Sequence, residues 1–579
     1  MRLRRPLAAA AAIAAALAGT TIVGTTTAGA DASGSGTSAS PQTILVLSAE
    51  GASATATRAA IRDLGGRVVD VNKAIGLYTV RTSTKGFAAK ARQSDAVTAA
   101  AEDRSIGYAP GTVAPGKKVE REHVGATNKG TAAVTAEGAE SGDPLDAKLW
   151  GLSMVDAFDA RAVNDGDRRV RVGILDSGID ARQPDLAAQV DRGLSRNFVT
   201  DMPDIDGPCE FAGCKDPDLW DDSGHGTHVA GTVAAAADGF GLSGVAPGVT
   251  LVSIRGGQDS GFLFLDPVVN ALTYGADIGL DVVNMSFYVD PWLYNCYGGA
   301  KEDDSAAAAS QKLVLDAMSR ALDYAHGKGV TLVGSLGNNH EDLSNPRHDL
   351  SSPDYPAGTA YERTINDAKC FDMPVEGPHV LGVSALGPSE RKADYSNYAS
   401  GLERKGEIEL SAPGGWFRDG LGTDTYRTVE NEILSTYPFN ALVDEGQATA
   451  KGQITKVGKA NGVIKVCATS QTAPEDCGWY AFLQGTSMAS PHATGVAALA
   501  VSAFGGGTDA GSFGLAPDTV RARVMAAARD HACPEGGVQS YEDVGRSAEF
   551  TATCNGTADF NAFYGDGIVD AYGTVTGAG

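Results

Sequence analysis

The sequence predicts an α/β fold preceded by a smaller α+β unit, on three observations. Apolar segments of strand length run into small polar residues: Arg169–Leu175 leads to Asp176-Ser177-Gly178, and Val330–Ser335 to Leu336-Gly337-Asn338-Asn339. The Ala/Val-rich run Ala493–Val501 reads as a buried helix. Upstream, residues 43–110 carry a separate rhythm of short strands and helices. In open α/β sheets, ligands and catalytic groups gather at the carboxyl ends of strands, so the polar endings are the candidate functional positions.

The chain opens Met1-Arg2-Leu3-Arg4-Arg5, continues in an apolar run from Leu7 to Val23, and reaches the small residues Ala28-Gly29-Ala30. A basic start, a short apolar stretch and a small-residue site describe a secretory signal peptide over residues 1–30, cut near Ala30 or Ala32. The competing reading is a membrane anchor, but the run is Ala- and Thr-rich, and no later segment has the roughly 20 apolar residues of a span. A secreted, extracellular protein without membrane attachment after signal cleavage is therefore expected.

Thr43–Ser48 reads as a strand and Ala52–Leu64 as a helix stopped by Gly65-Gly66. Arg67–Val71 and Leu77–Arg81 read as strands, Phe87–Ala99 as a second helix and Ser105–Tyr108 as a last strand. The order βαββαβ is that of a ferredoxin-like unit. Residues 111–142 are rich in Gly, Ala, Thr and Glu without apolar period, a linker that a protease could cut.

With 579 residues, 43% hydrophobic and 20% charged, the chain has the apolar content for a large core, which excludes a wholly disordered protein. Its net charge of 47 − 71 = −24 argues against nucleic acid as a partner. Residues 1–142 hold 16 basic and 11 acidic side chains, net +5, which leaves 31 and 60, net −29, for the rest. Opposite charges favour association of the two parts. Eight cysteines suit export, with local pairs Cys209/Cys214, Cys467/Cys477 and Cys533/Cys554 leaving Cys296 and Cys370; 105 connectivities are open to eight cysteines. Several lie in long segments, 200–222, 290–312, 358–378 and 439–478, that read as insertions.

Three short motifs carry chemistry. Asp176 ends a strand; His225 follows in Gly224-His225-Gly226-Thr227-His228; Ser487 lies in Gly485-Thr486-Ser487-Met488-Ala489 ahead of the buried helix. Each alone is ordinary: a turn, two histidines lacking the His-Glu-x-x-His zinc pattern, a helix-capping serine. Together they supply a nucleophile, a base and a carboxylate to orient the base. Their order, Asp, His, Ser, differs from the orders of chymotrypsin-type enzymes and α/β-hydrolases, and the Gly-x-Ser-x-Gly elbow is absent.

On these motifs, residues 145–579 resemble the subtilisin-like serine proteases. The resemblance implies a three-layer sandwich around a mainly parallel sheet over residues 143–579, with Asp176 as orienting carboxylate, His225 as general base and Ser487 as nucleophile. It makes Asn338, directly after Gly337, the oxyanion donor in preference to Asn339, and residues 43–110 an inhibitory propeptide. Ser286, Phe287, Tyr288 and Gly337 match the substrate-binding segments, where extended substrate adds as a strand. Tyr288 stands where the family carries glycine and is expected to narrow the primary pocket. Leu251–Arg255 with Gly256-Gly257 resembles the neighbouring substrate strand.

No cofactor is expected for the chemistry. Asp185 matches a calcium-binding aspartate of the family, with Asp238 and Asp146 as companions, for a structural calcium. Phe563–Ala571 resembles the end of the catalytic domain, leaving no further C-terminal module expected. The expected protein is a monomeric, self-processing secreted serine endopeptidase acting on proteins or peptides. Its rivals are a narrow precursor-processing enzyme, a catalytically silent binding protein, and a prodomain that inhibits other proteases.

Overall fold

Both faces of one parallel sheet organise the catalytic part of the chain. The computed structural model describes residues 41–103 and 142–577, apart from 346–347, 350–351, 353–359, 367, 403–407 and 469–472. The leader read over 1–30, the strand read over Ser105–Tyr108 and nearly all of the linker 111–142 lie outside the described residues.

The N-terminal unit comprises β1 (Gln42–Ser48), α1 (Ala54–Asp63), β2 (Arg67–Asn72), β3 (Leu77–Thr82), α2 (Phe87–Ala91) and β4 (Val97–Glu102). The sheet order is β2-β3-β1-β4, all antiparallel. This corrects one expectation: the second helix stops at Ala91, and the fourth strand is formed by residues assigned in part to that helix. Alanine leaves the local choice open, and tertiary pairing decides it. Ala99, Ala100 and Ala101 pair with Leu47, Val46 and Leu45. Both faces of β4 are buried: Val97 and Ala100 against α1 and α2, Ala99 and Ala101 against the catalytic part.

The central sheet comprises β5 (Arg171–Leu175), β6 (Arg196–Asn197), β7 (Thr250–Arg255), β8 (Val282–Met285), β9 (Thr331–Ser335), β10 (Val380–Leu386) and β11 (Leu410–Pro413). Their order is β11-β10-β9-β8-β5-β7-β6, with every neighbouring pair parallel. Val172, Ile174, Val282 and Val333 face α3 (His225–Ala234) and α6 (Thr486–Phe504). Val252, Ile254, Val283 and Leu332 face α4 (Leu265–Asp277) and α5 (Ser305–Gly327). A parallel sheet buried on both faces explains why its strands read as continuous apolar runs.

The N-terminal sheet lies on α4 and α5: Leu45, Leu47, Leu77 and Ala101 share one apolar cluster with Val268, Leu272, Val314 and Ala317. Asn72 Nδ2 donates to Thr273 Oγ1 (2.8 Å) and Asn270 Oδ1 (2.9 Å), and Arg320 Nη1 to the carbonyl of Ser48 (2.8 Å). Four disulfides, Cys209–Cys214, Cys296–Cys370, Cys467–Cys477 and Cys533–Cys554, restrain loops around the sheet.

Candidate active site

Adjacent parallel strands deliver the reactive residues to one edge. Leu175 of β5 is level with Met285 of β8, so Asp176 and Ser286 leave the sheet side by side. Asp176 is buried, and its Oδ1 accepts from His225 Nδ1 at 2.7 Å and from the Ser177 amide at 2.7 Å. Its carbonyl accepts from the amides of Gly256 and Gly257. The turn is tight: a Cβ on Gly178, whose φ is +125°, would run into the Trp220 carbonyl oxygen.

Asp221 holds the histidine helix to this turn. Its carboxylate accepts from the amides of Gly224 (2.9 Å) and Thr227 (2.9 Å) and from the hydroxyl of Ser177 (3.0 Å). Ser177 Oγ in turn accepts from the Gly226 amide at 2.9 Å. A carboxylate at a helix N-terminus satisfies amides that have no intrahelical acceptor. The sequence motifs do not single out Asp221, although an acid four residues before the helix is a signal that could find it.

Ser487 occupies the first turn of α6, which is buried on all sides from Thr486 to Val501. Pro491, the sixth residue of α6, forgoes the bond to the Ser487 carbonyl, which accepts instead from Ser286 Oγ at 3.1 Å. Ser487 Oγ donates to the Ser286 carbonyl at 3.2 Å, which ties it to the strand end next to the one that carries Asp176. Ser286 turns its own side chain into the protein. Its hydroxyl contacts the Ser487 carbonyl (3.1 Å), Ser490 Oγ (2.6 Å) and Asn284 Nδ2 (2.8 Å), and Thr494 closes this network onto Asn284 at 2.9 Å. Phe287 packs toward the core that contains α4 and α5, whereas Tyr288 packs on the cluster containing Leu336 and Tyr294.

Asn338 follows β9. Its Oδ1 accepts from the Thr486 amide (2.8 Å) and hydroxyl (2.9 Å), so its Nδ2 is the donating end left for a ligand. Thr486 Oγ1 also accepts from the Gly337 amide at 3.0 Å. The loop is gripped on both sides by Asn397, another residue the motifs do not signal. Asn397 Nδ2 donates to the Leu336 carbonyl (2.9 Å), and its Oδ1 accepts from the amides of Asn339 (3.1 Å) and Glu341 (2.8 Å). A Cβ on Gly337, with φ +103°, would strike the Asn397 amide nitrogen.

Lys392 anchors the segment that carries Asn397. Its buried Nζ donates to the carbonyls of Ser396 (2.6 Å) and Ala393 (3.0 Å), and burial pushes its pKa down to about 7. Because the unfolded lysine keeps its proton to a higher pH, the burden of this buried charge is full below pH 7 and fades as pH rises above it. Thermal unfolding of wild type and Lys392→Met should therefore differ in pH dependence. Wild type gains up to about 1.4 kcal/mol per pH unit above pH 7 relative to the variant; parallel profiles would remove the effect.

The predicted metal residues fall into two kinds. Asp185 is fully buried; its Oδ2 accepts from the Leu242 amide (3.1 Å) and Tyr480 hydroxyl (2.9 Å), while Oδ1 has no hydrogen-bond partner among the described residues. Burial, with Asp143 and Asp238 adding repulsion, pushes it up to about 8. Asp143, which the sequence does not single out, presents a second buried oxygen, Oδ2, also lacking a hydrogen-bond partner among the described residues. Each is a buried carboxylate oxygen without a donor, the kind of ligand a hard cation takes. Asp146 is instead engaged by Ser243, by the Asp143 amide and by Arg161 at 3.9 Å. Asp238 is exposed and accepts from the Phe240 amide at 3.1 Å.

Residues 167–567 match the subtilase family, peptidase S8, and the chain belongs to that family of subtilisin-like serine peptidases. Fervidolysin from Fervidobacterium pennivorans is 29% identical over 372 residues, which are 63% of this chain but only 39% of that protein. Subtilisin DY from Bacillus licheniformis is 26% identical over 356 residues, 61% of this chain and 85% of that one. Among solved structures, the epidermin leader peptide processing serine protease from Staphylococcus aureus aligns with a TM-score of 0.57 and 17% identity, over 93% of this chain and 99% of that one. The fervidolysin crystal structure aligns with a TM-score of 0.53 and 21% identity, over 93% and 62%. The fold is thus the α/β subtilisin fold.

Proposed function

We propose that the protein is a secreted serine endopeptidase made as a self-processing zymogen, with Asp176, His225 and Ser487 as its triad. The observation that carries this reading is the Asp176 to His225 contact of 2.7 Å, with Ser487, at the start of a buried helix, bonded to Ser286 on the neighbouring strand end. Ser487 Oγ attacks the peptide carbonyl carbon as His225 Nε2 takes its proton, while Asp176 holds the proton on Nδ1 and stabilises the imidazolium. The oxyanion is met by Asn338 Nδ2 and by the Ser487 amide, one of the helix-start amides without an intrahelical acceptor. His225 returns its proton to the leaving amine; water then releases the acyl group by the same steps in reverse order.

Residues 43–103 dock on α4 and α5 through an apolar sheet face, which supports their role as the enzyme's own inhibitory propeptide. Asp185 and Asp143 would hold a calcium ion, which supplies charge compensation and stability and takes no part in bond cleavage. Among the described residues no helix is long and apolar enough to cross a membrane. The second reading, a narrow precursor-processing enzyme, is favoured by Tyr288, a large residue where the family carries glycine, which packs on the cluster that contains Leu336.

Wild type should hydrolyse casein, and Asn338→Ala should lower kcat on a peptide substrate about 10²–10³-fold with KM nearly unchanged. An unaltered kcat would remove Asn338 from the site. Self-maturation without casein hydrolysis would move the conclusion to the narrow enzyme.

A further inference from the structure

Ser286 and Leu336 follow neighbouring parallel strands, with Met285 level with Gly334. A substrate whose carbonyl meets Asn338 Nδ2 and Ser487 Oγ must send the side chain that precedes the cut bond between the segments Ser286–Tyr288 and Leu336–Asn338. A short strand joins these two segments. Cys370–Asp372 pairs antiparallel with Tyr294–Cys296, Asp372 standing opposite Tyr294, and the Cys296–Cys370 disulfide fixes the pair. On one side the Val289 amide donates to the Met373 carbonyl at 2.8 Å. On the other, a Cβ on Gly337 would lie 3.5 Å from Asp372 Oδ2.

Asp372 is 2% exposed, and its Oδ1 has no hydrogen-bond partner among the described residues. The hydroxyl of Tyr294, 3% exposed, is in the same condition. The charge around them is negative. Glu376, whose Oε2 accepts from the Asp372 amide at 2.6 Å, and Asp349 both repel the Asp372 carboxylate, and Glu341 adds to the negative field at Tyr294. Arg363, the buried cation of this region, is taken up by Asp303 (3.1 Å) and Asp349 (3.3 Å). Among the described residues no lysine or arginine pairs with Asp372. Burial, with repulsion from Glu376 and Asp349, holds its carboxyl well above the ordinary range, and a cation brought beside it reverses that balance. A buried carboxylate without a donor calls for a counter-ion or a proton.

We propose that Asp372 determines specificity by selecting lysine or arginine immediately before the scissile bond, so that the counter-ion arrives with the substrate. The inference rests on the peptidase reading and names the substrate class of the same site. An ammonium or guanidinium brings both the positive charge and the N–H donors that Asp372 Oδ1 and the Tyr294 hydroxyl lack. The aliphatic stem of either side chain suits the apolar cluster that contains Leu336 and Tyr294 and on which Tyr288 packs. A neutral side chain of equal size would leave the carboxyl without its partner, and an acidic one would add a further negative charge to those of Glu376 and Asp349.

Peptide substrates that differ only in this residue test the assignment: arginine, its neutral isostere citrulline, lysine and leucine. With the matured wild type, kcat/KM should be at least about 10²-fold higher for arginine and lysine than for citrulline and leucine. Asp372→Asn should lose most of that preference through the basic substrates alone, with kcat/KM for leucine kept within a few-fold. Titration of the reactive serine counts the competent enzyme in each sample. Asp372→Ala makes the same comparison should the asparagine variant not mature. Citrulline or leucine cut as fast as arginine by wild type, or an arginine-to-citrulline ratio that either variant leaves unchanged, would overturn the assignment while leaving the peptidase reading intact. No hydrolysis of any of these peptides by wild type would overturn the peptidase reading, and the assignment with it.

Discussion

The Ser487→Ala chain should remain near full length and lose casein hydrolysis by about a millionfold in kcat, the size found when a subtilisin loses its nucleophile. Wild type, by contrast, should shed its N-terminal segment through a cut between residues 109 and 146. The substitution removes one oxygen from a helix start whose neighbours remain tied by Ser286, Ser490 and Thr486. Folding should therefore survive, and near-ultraviolet circular dichroism of the two proteins should coincide. Mass spectrometry and casein hydrolysis on the same sample check both halves. If wild type and variant mature alike, Ser487 is not the nucleophile, and self-processing fails with it.

Asp176→Asn should lower kcat by about 10⁴-fold with little change in KM. The backbone carbonyl of residue 176 still accepts from the Gly256 and Gly257 amides, so the turn at Gly178 should persist. What changes is the imidazole. A carboxylate requires His225 to carry its proton on Nδ1, leaving Nε2 to accept the proton of Ser487. An asparagine can present its NH₂ to Nδ1, which stabilises the opposite tautomer and blocks the base. Nitrogen NMR of the His225 ring should show that exchange of protonated positions. A large loss of kcat with the original tautomer retained would assign Asp176 to charge stabilisation alone.

Asp176, His225 and Ser487, the residues proposed as the triad, are legible in the sequence because each stands in a short, unusual motif beside an apolar segment, and their chain order differs from those of other triad families. The sheet is legible for a related reason: burial on both faces leaves uninterrupted apolar runs such as Val282 to Met285. The alanine-rich stretch Val97–Glu102 is a different matter. Its first residues read as the end of a helix, because these alanines acquire strand geometry only through pairing with β1. Asn397 escapes a reading of motifs because its side-chain contacts lie 56 or more residues away in the chain, and Asp221 because its tie to the strand-end turn, through Ser177, spans 44 residues. Asp143 is hidden behind Asp146, three residues on. Only the fold distinguishes the oxygen occupied by Ser243 from the one lacking a donor.

The uninterrupted burial of Thr486 to Val501 has an evolutionary consequence. A helix with no solvent face has almost no position where a substitution is neutral, because any change of volume is felt by packed neighbours. Variation in what the enzyme cuts must then be drawn from elsewhere, from the loops stapled by Cys209–Cys214, Cys296–Cys370 and Cys467–Cys477. In a library of random variants, survivors should be sparse along this helix and dense in those loops. The apparatus of bond cleavage is frozen so that the surfaces around it can drift.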